Sequence, residues 1–385
     1  MYSMQTVSII IGVIVLVFGV GYLVTNNADE PTTVTQEAAT ETEAVATEEA
    51  TATEGSVTGE VTSTEAAVTD KPDESMRNNT SSDIAPIGKP SITVPSALAR
   101  SFPTTDFSKV DPQLENVISG GPPKDGIPAI DAPTFVPLRD FDRPDSVQAI
   151  VLVGANETRV YPYSILTWHE IVNDEFEGTP VAITFCPLCG SAIVYNRTLP
   201  NDTVSTFGVS GFLLESNMIM YDRETENLWQ QSTGNTLAGS FYKSQLTIEP
   251  FQLLTLGDVR ETYPHARVLS EDTGYSRDYA RNPYAGYEND NRFVFEPSAI
   301  DTTFEPKTIM AVFRDNDTTF ATPWLALRGA GSATLTEGDT TYTLTVTDDG
   351  ELSVIDSHNV SHPFYFEMWF SVAVQHKGSL IVIHP

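Results

Sequence analysis

The sequence predicts an α+β fold dominated by β-strands, preceded by a long segment outside the folded domain. Two observations carry this prediction. From residue 90 to residue 385, short apolar runs alternate with turn-forming Gly, Pro, Asn and Asp, and few stretches have apolar residues at helical spacing. Before residue 90 the composition changes abruptly. The folded region of about 290 residues is long enough for one large domain or two ordinary ones.

The first 24 residues predict a membrane anchor. Residues 7–24 (VSIIIGVIVLVFGVGYLV) carry no charge, and such a run is long enough to cross a bilayer as a helix. No basic n-region or small-residue cleavage site marks a cleaved signal peptide. We therefore expect a single N-terminal anchor in the cell membrane, with that membrane as a partner. Because the flank before the anchor is short and the chain after it is acidic, we place the bulk of the chain outside the cytoplasm.

Residues 25–89 predict a disordered stalk. Between residues 25 and 70 there are eleven acidic residues, no basic residue and no aromatic residue. Such a segment buries too little apolar surface to offset the entropy lost on ordering. It is a solvated, threonine-rich spacer between the membrane and the folded domain of residues 90–385.

The charge of the chain excludes nucleic acid as a partner. The net charge is −31, and removing the eleven acidic stalk residues leaves −20 on the rest (−31 + 11). A domain this acidic repels nucleic acid and anionic lipid. The acidic, lysine-poor composition is typical of halophilic proteins, whose self-repulsion is screened by salt.

The folded region begins with a Gly- and Pro-rich path over residues 90–137 that cannot sustain long helices or central strands. Residues 147–166 predict a hairpin, and residues 166–173 (LTWHEIVN) a short helix. Strands are expected on both sides of CPLCG, over residues 180–185 and 191–197. Further strands are expected within residues 203–213 and 218–221, and a strand with a short helix within 251–264.

A weak internal repeat indicates two related hairpin-plus-sheet units that divide near residue 300. Residues 306–327 (PKTIMAVFRDNDTTFATPWLAL) match residues 145–166 (DSVQAIVLVGANETRVYPYSIL) in strand, turn, strand and Pro-aromatic ending. Residues 341–354 then predict a hairpin around Asp-Asp-Gly. The C-terminal residues 364–385 begin with aromatic residues and end in a strand.

The two cysteines of the chain, Cys186 and Cys189, lie in CPLCGS. A disulfide across two residues closes a very short loop and adds little stability. A cysteine pair at this spacing therefore indicates a redox or metal site more than a structural disulfide. In a thioredoxin-like site a helix follows the motif, whereas here a strand is expected. Cys-Pro-x-Cys-Gly is also typical of a metal knuckle, although the single copy excludes a closed four-cysteine site.

A metal held by both cysteines needs a further ligand, and His169 is the closest histidine in sequence, beside Glu170 and Asp174. Two thiolates with one imidazole suit Zn(II) or Cu(I). A lone histidine is more often an ordinary hydrogen-bonding residue, and two inert packed thiols remain the alternative to a site.

Residues 207–231 add a second group of candidate pocket residues between apolar runs. Asp222 is the residue expected to orient His169 or to supply an oxygen ligand, and the alternative is that it belongs to a solvated turn with local ion pairs. The pocket candidates here are Ser210, Asn217, Asp222, Arg223 and Trp229.

Several long segments occur in a characteristic order: GGPPKDGIPAID, YPYSILTWHEIVND, PVAITFCPLCGSAIVY, FGVSGFLLESNMIMYDRETENLWQQ, HARVLSEDTGYSRDY and NPYAGY. Together they resemble the secreted or membrane-anchored prokaryotic family known as domain-of-unknown-function family 3179. The resemblance covers about residues 106–385 and is clearest over residues 120–287. It implies that the cysteine pair, the WHEIVND segment and the YDRET segment belong to one domain, and it brings no activity with it.

Three functions remain open from the sequence. The leading one is a soft-metal-binding domain using Cys186, Cys189 and His169. The second is an extracytoplasmic thiol–disulfide oxidoreductase, which requires an exposed Cys186 thiol with a lowered pKa and a reversible disulfide. The third is a non-catalytic surface module that binds a protein or small molecule, in which the cysteines only shape a turn. The sequence assigns no enzymatic reaction.

Overall fold

The computed structural model of the protein describes residues 92–290 and 292–385, which lie in one compact unit. The predicted anchor and stalk lie outside these residues. Within the described part, no helix is long and apolar enough to span a membrane.

The described chain has twenty β-strands and five short α-helices, so strand exceeds helix, which confirms the predicted α+β class. The strands are β1 (Ile118–Ser119), β2 (Phe135–Pro137), β3 (Gln148–Val153), β4 (Thr158–Pro162), β5 (Ile171–Phe176), β6 (Thr179–Cys186), β7 (Ser191–Asn196), β8 (Phe207–Leu214), β9 (Asn217–Asp222), β10 (Leu228–Gln230), β11 (Thr236–Ala238), β12 (Gln252–Thr255), β13 (Arg267–Leu269), β14 (Ile309–Asp315), β15 (Thr318–Pro323), β16 (Ser332–Glu337), β17 (Thr340–Val346), β18 (Leu352–Asp356), β19 (Phe364–Met368) and β20 (Leu380–Val382). The helices are α1 (Ser96–Ser101), α2 (Tyr163–His169), α3 (Leu256–Thr262), α4 (Trp324–Ala330) and α5 (Trp369–Gln375).

Four sheets organise these strands. The largest has seven strands in the order β20-β15-β14-β19-β7-β6-β5. Two five-stranded sheets have the orders β1-β8-β9-β10-β11 and β12-β3-β4-β13-β2, and a three-stranded sheet has the order β16-β17-β18. Most pairs are antiparallel, with parallel pairing of β13 with β4 and of β15 with β20.

The internal repeat predicted from the sequence has a structural counterpart. In each copy a hairpin leads through a proline, Pro162 or Pro323, into a seven-residue helix. A three-stranded antiparallel meander follows each helix, β5-β6-β7 in one case and β16-β17-β18 in the other. The first meander continues into β19, β14, β15 and β20, so the seven-stranded sheet combines strands from both sides of residue 300.

One local prediction was wrong, and one helix was missed. The helix expected over residues 166–173 is α2, which begins after Pro162 and ends at His169, because Glu170 has a positive φ of 59° that stops it. Residues 171–176 instead pair with β6 as strand β5. Helix α5 was not predicted, because its β-branched and aromatic composition is typical of a strand. Its side chains Phe370 and Val372 are fully buried, and this packing overrides the local preference.

Candidate functional site

The CPLCG segment forms the turn between two paired strands, as predicted. Cys186 is the last residue of β6 and pairs with Ser191, the first residue of β7. The Cys189 amide donates to the Cys186 carbonyl oxygen at 3.2 Å. Gly190 has a φ of +55°, and a Cβ there would lie 3.1 Å from side-chain atoms of Ile309 and Met368. A side chain at Gly190 would therefore be strained and crowded.

Both thiols are free and buried, with Cys186 1% exposed and Cys189 fully enclosed. Burial raises the pKa of Cys186, but hydrogen bonds from the Cys189 thiol and from the amides of Cys189, Met218 and Leu188 outweigh it, so the net shift is downward. The pKa of Cys189 is raised well above its ordinary value by burial and by the neighbouring Cys186. The pKa values of the two thiols are thus shifted in opposite directions, because backbone amides converge on only one of the two sulfurs.

Glu170 is an ionisable residue that interacts with Cys186. Its amide donates to the Leu166 carbonyl at 2.7 Å, and its carbonyl accepts from the Phe185 amide at 2.8 Å, which fixes it between α2 and β6. Burial, and then the charge of Cys186, raise the pKa of the Glu170 carboxyl well above its ordinary range. A neutral carboxylic acid therefore lies beside the Cys186 thiol.

A cavity of about 180 Å³ adjoins the Glu170 side and is lined by Glu170, Leu188, Met218 and Tyr284 among others. Val294, which is 58% exposed, also lines it, so the cavity reaches the protein surface. Since the amides of Leu188 and Met218 contact the Cys186 sulfur, this cavity connects the solvent with residues that surround that thiol.

Two tyrosines from the segment of residues 284–287 cover the turn. The Tyr287 hydroxyl donates to the Leu188 carbonyl at 3.0 Å, and the Lys307 Nζ lies 3.4 Å from the centroid of the Tyr287 ring. Burial raises the pKa of Tyr284, and the charges of Glu170 and Cys186 add to the effect. Both hydroxyls therefore stay protonated, and that of Tyr287 acts as a neutral donor to the turn.

A buried polar network lies behind the turn. Ser191 Oγ donates to Gln231 Oε1 at 2.6 Å, Asn217 Nδ2 donates to the same oxygen at 2.8 Å, and Gln231 Nε2 donates to Thr184 Oγ1 at 3.0 Å. Through Gln231, these bonds connect Ser191, the first residue of β7, to Asn217, the first residue of β9. Because each group in this chain of hydrogen bonds has a partner, the network makes the turn rigid.

Glu367 belongs to a second buried group on the Cys189 side. Its carboxyl accepts hydrogen bonds from Ser232 Oγ at 2.8 Å and Ser371 Oγ at 2.6 Å. Burial raises its pKa to about 7, although both serines and the Arg314 charge act in the other direction. Its charge in turn contributes to the raised pKa of Cys189.

His169 does not meet the cysteines. Its Nδ1 is 2.8 Å from the Pro128 carbonyl oxygen and its Nε2 is 2.7 Å from the Tyr279 hydroxyl, so both ring nitrogens are engaged. Burial lowers its pKa, which keeps the ring neutral. Across residues 92–290 and 292–385, no three His, Cys, Asp or Glu side chains are grouped to hold a metal ion. The predicted set of Cys186, Cys189 and His169 is therefore not assembled here.

Asp222 does not orient His169, contrary to expectation. Its Oδ1 accepts from the Thr225 amide at 2.6 Å, and its Oδ2 accepts from Trp229 Nε1 at 2.9 Å, so it organises the turn before β10. Arg223 pairs with Asp125 at 3.2 Å and with Asp131 at 3.0 Å. The alternative of a turn with local ion pairs describes these residues better, although Asp222 and Trp229 are fully buried.

The remaining candidates also have structural partners. Asp174 accepts hydrogen bonds from Tyr161 at 2.6 Å and Arg159 at 2.8 Å. Ser210 accepts from the Phe212 amide at 3.0 Å, where β8 is irregular. Of the predicted pocket residues, the structure brings Glu170 to the cysteines directly and Asn217 through Gln231.

Sequence reasoning missed Tyr284, Tyr287, Gln231 and Glu367. No periodicity or spacing relates them to the cysteines, because they are between 42 and 181 residues away along the chain. The NPYAGY segment, which contains both tyrosines, was the available signal.

Of three comparisons with known proteins, one gave a match. A search of curated proteins and a search of solved structures found no significant match. A family profile, described as a protein of unknown function (DUF3179), matches residues 124–379. The match spans the cysteine turn, the tyrosine segment and both copies of the repeat. The chain therefore belongs to the DUF3179 family.

Proposed function

We propose that Cys186 and Cys189 form a redox-active dithiol that acts outside the cytoplasm and alternates between two thiols and an intramolecular disulfide. The observation that carries the proposal is that two free thiols share one tight turn, and that the amides of Cys189, Met218 and Leu188 reach the Cys186 sulfur and lower the pKa of that thiol. At a given pH more of Cys186 is in the thiolate form that attacks a disulfide. Cys189 stays protonated until Cys186 has reacted.

Burial restricts the reaction partner. Cys186 is 1% exposed and Cys189 is enclosed, so a disulfide on another folded protein has no direct approach to either sulfur. The adjoining cavity of about 180 Å³ has room for a compact molecule. We therefore infer a low-molecular-weight disulfide as the oxidant.

The exchange balances in two steps. The Cys186 thiolate attacks one sulfur of the small disulfide, forming a mixed disulfide and releasing the first thiolate, which takes up a proton. Cys189 then attacks the Cys186 sulfur and releases the second thiol, so the protein loses two electrons and two protons. Glu170, whose carboxyl has a raised pKa and interacts with the charge of Cys186, is our candidate for the group that gives a proton to the leaving thiolate and regains one from Cys189.

The test uses the full-length chain equilibrated with mixtures of reduced and oxidised dithiothreitol, acid-quenched, and analysed by mass spectrometry. We expect reversible loss of two hydrogens, abolished in Cys186→Ser and in Cys189→Ser. Iodoacetamide should label Cys186 in reduced, folded Cys189→Ser, with a rate that rises at a pH below the ordinary thiol value of 9.0. If neither thiol oxidises nor is labelled until the protein is unfolded, the dithiol proposal is refuted.

Soft-metal binding remains a second candidate because strands flank the turn on both sides and amides approach the Cys186 sulfur, as in a metal knuckle. With two sulfurs and no third grouped ligand among the described residues, Cu(I) fits better than tetrahedral Zn(II). One equivalent of Cu(I) retained against a chelator, and lost in Cys186→Ser, would support it.

A further inference from the structure

A second cavity, of about 680 Å³, lies on the other side of the CPLCG turn from Leu188 and is lined by Pro187 and Gly190. This volume is typical of sites for drug-sized ligands. Its walls are rich in aromatic rings. Tyr163 stacks on Phe185 with ring centroids 4.0 Å apart and an interplanar angle of 29°, and Tyr284 and Tyr287 also line the cavity. Flat apolar surfaces of this kind favour a flat aromatic molecule.

One polar group in the wall has no partner within the protein. Ser164, in α2, lines the cavity, and its Oγ is buried without a hydrogen bond. An unpaired buried hydroxyl costs free energy that a ligand atom offering a hydrogen bond would recover. Ser164 therefore marks where a polar atom of the ligand would lie.

The charges around the cavity favour an anion. Arg143 and Arg281 both line it, against one carboxylate, Glu288. Arg143 is paired with Glu271 at 2.6 Å, but Arg281 has no carboxylate within salt-bridge distance in the part of the chain that the structure describes. In a chain with 52 acidic and 21 basic residues, an arginine left without a carboxylate partner beside an apolar cavity is a natural anion contact.

From these observations we propose that the cavity lined by Tyr163, Ser164, Phe185, Arg281, Tyr284 and Tyr287 binds a small aromatic molecule that carries a negatively charged group. The rings hold the aromatic part, Ser164 hydrogen-bonds a polar atom, and Arg281 contacts the anionic group. This site goes beyond the dithiol chemistry and does not depend on it.

The test compares two fluorescent probes of the same ring system on the full-length chain: 8-anilinonaphthalene-1-sulfonate, an anion, and the neutral N-phenyl-1-naphthylamine. We expect saturable binding of one sulfonate probe per chain. Arg281→Glu should raise its Kd at least about tenfold and change the Kd of the neutral probe by less than about twofold. The matched control is Arg139→Glu, the same charge reversal at an exposed arginine outside this cavity, which should leave both values unchanged.

Ser164→Leu, which removes the hydroxyl and fills the cavity, should weaken the binding of both probes. Thermal unfolding shows whether this variant is folded. Cys186→Ser/Cys189→Ser should bind the sulfonate probe as the wild type does, so a failed dithiol does not affect the result. Binding with no defined stoichiometry, or an equal effect of Arg281→Glu and Arg139→Glu, would overturn the proposal.

Discussion

Replacing Glu367 by Gln tests the claim that burial raises the pKa of a carboxyl group in the core behind the cysteines. Glu367 is fully buried and accepts hydrogen bonds from Ser232 and Ser371. Gln has nearly the same shape, keeps an acceptor oxygen and cannot ionise. The serine hydroxyls can rotate to accept from its amide, so the substitution mainly removes the ionisation.

The magnitude follows from the rise in the pKa of Glu367, from 4.5 to about 7. A carboxyl whose folded-state pKa is raised contributes its full stability below the unfolded pKa, and that stability is lost as the pH rises through the folded pKa. A tenfold change in proton affinity between the folded and unfolded chain corresponds to about 1.4 kcal/mol. Between pH 5.5 and pH 8.5 the wild type should therefore lose about 2 kcal/mol of unfolding free energy through this group alone, because the folded-state pKa lies about 1.5 above the starting pH.

The assay is urea unfolding at pH 5.5 and pH 8.5, followed by the fluorescence of the four tryptophans. Other titrating groups act equally on both proteins, so the quantity of interest is the change with pH in the stability difference between Glu367→Gln and the wild type. We expect the variant to gain about 2 kcal/mol relative to the wild type on going to pH 8.5. Glu337→Gln, at an exposed position on β16, is the matched control for loss of one charge.

Parallel pH dependence in Glu367→Gln and the wild type would refute the reasoning, since Glu367 would then ionise in the core as readily as in the unfolded chain. Carboxyl-carbon NMR of the wild type reads the same titration directly, and it decides the question if the variant does not fold.

Two further substitutions test the packing around the site. Gly211→Ala should lower the free energy of unfolding by about 3 kcal/mol or more, because φ is +81° and the new Cβ would overlap the Pro122 carbonyl oxygen. Gly286→Ala, at φ +80° with open space around it, should lower the free energy of unfolding by about 1 kcal/mol. Thermal or urea unfolding measures both. Equal losses would show that backbone strain, not the close approach of residues 122–123, sets the cost. Asn173→Ala should cost about 2 to 3 kcal/mol, because it leaves the buried Phe207 amide and carbonyl without the bonds at 2.8 and 2.9 Å that the side chain provides. Asn289→Ala, at an exposed position, should leave the free energy of unfolding almost unchanged. An equally small loss of stability in Asn173→Ala would mean that water replaces the contacts of the Asn173 side chain.

The strands around the cysteines were predictable because their signals are local. Apolar, β-branched runs on each side of CPLCG specify β6 and β7, and Pro and Gly specify the turn between them. The hairpin of β14 and β15 was found in the same way, through its likeness to β3 and β4. The bounds of α2 and the existence of α5 were missed because they depend on contacts with other elements. Such contacts set the end of α2 before Glu170 and the burial of Phe370 and Val372 in α5.

By itself, the sequence determined the α+β class, the repeat of a hairpin, and a cysteine pair held in a turn between strands. Only the tertiary structure decided which groups surround that pair. In the folded chain, His169 contacts the Pro128 carbonyl and the Tyr279 hydroxyl. Glu170 lies where it interacts with Cys186, and the Tyr287 hydroxyl donates to the Leu188 carbonyl. The physical reason is that the protonation state of a thiol or carboxyl depends on burial and on amides and charges from distant segments, and chain spacing does not encode these.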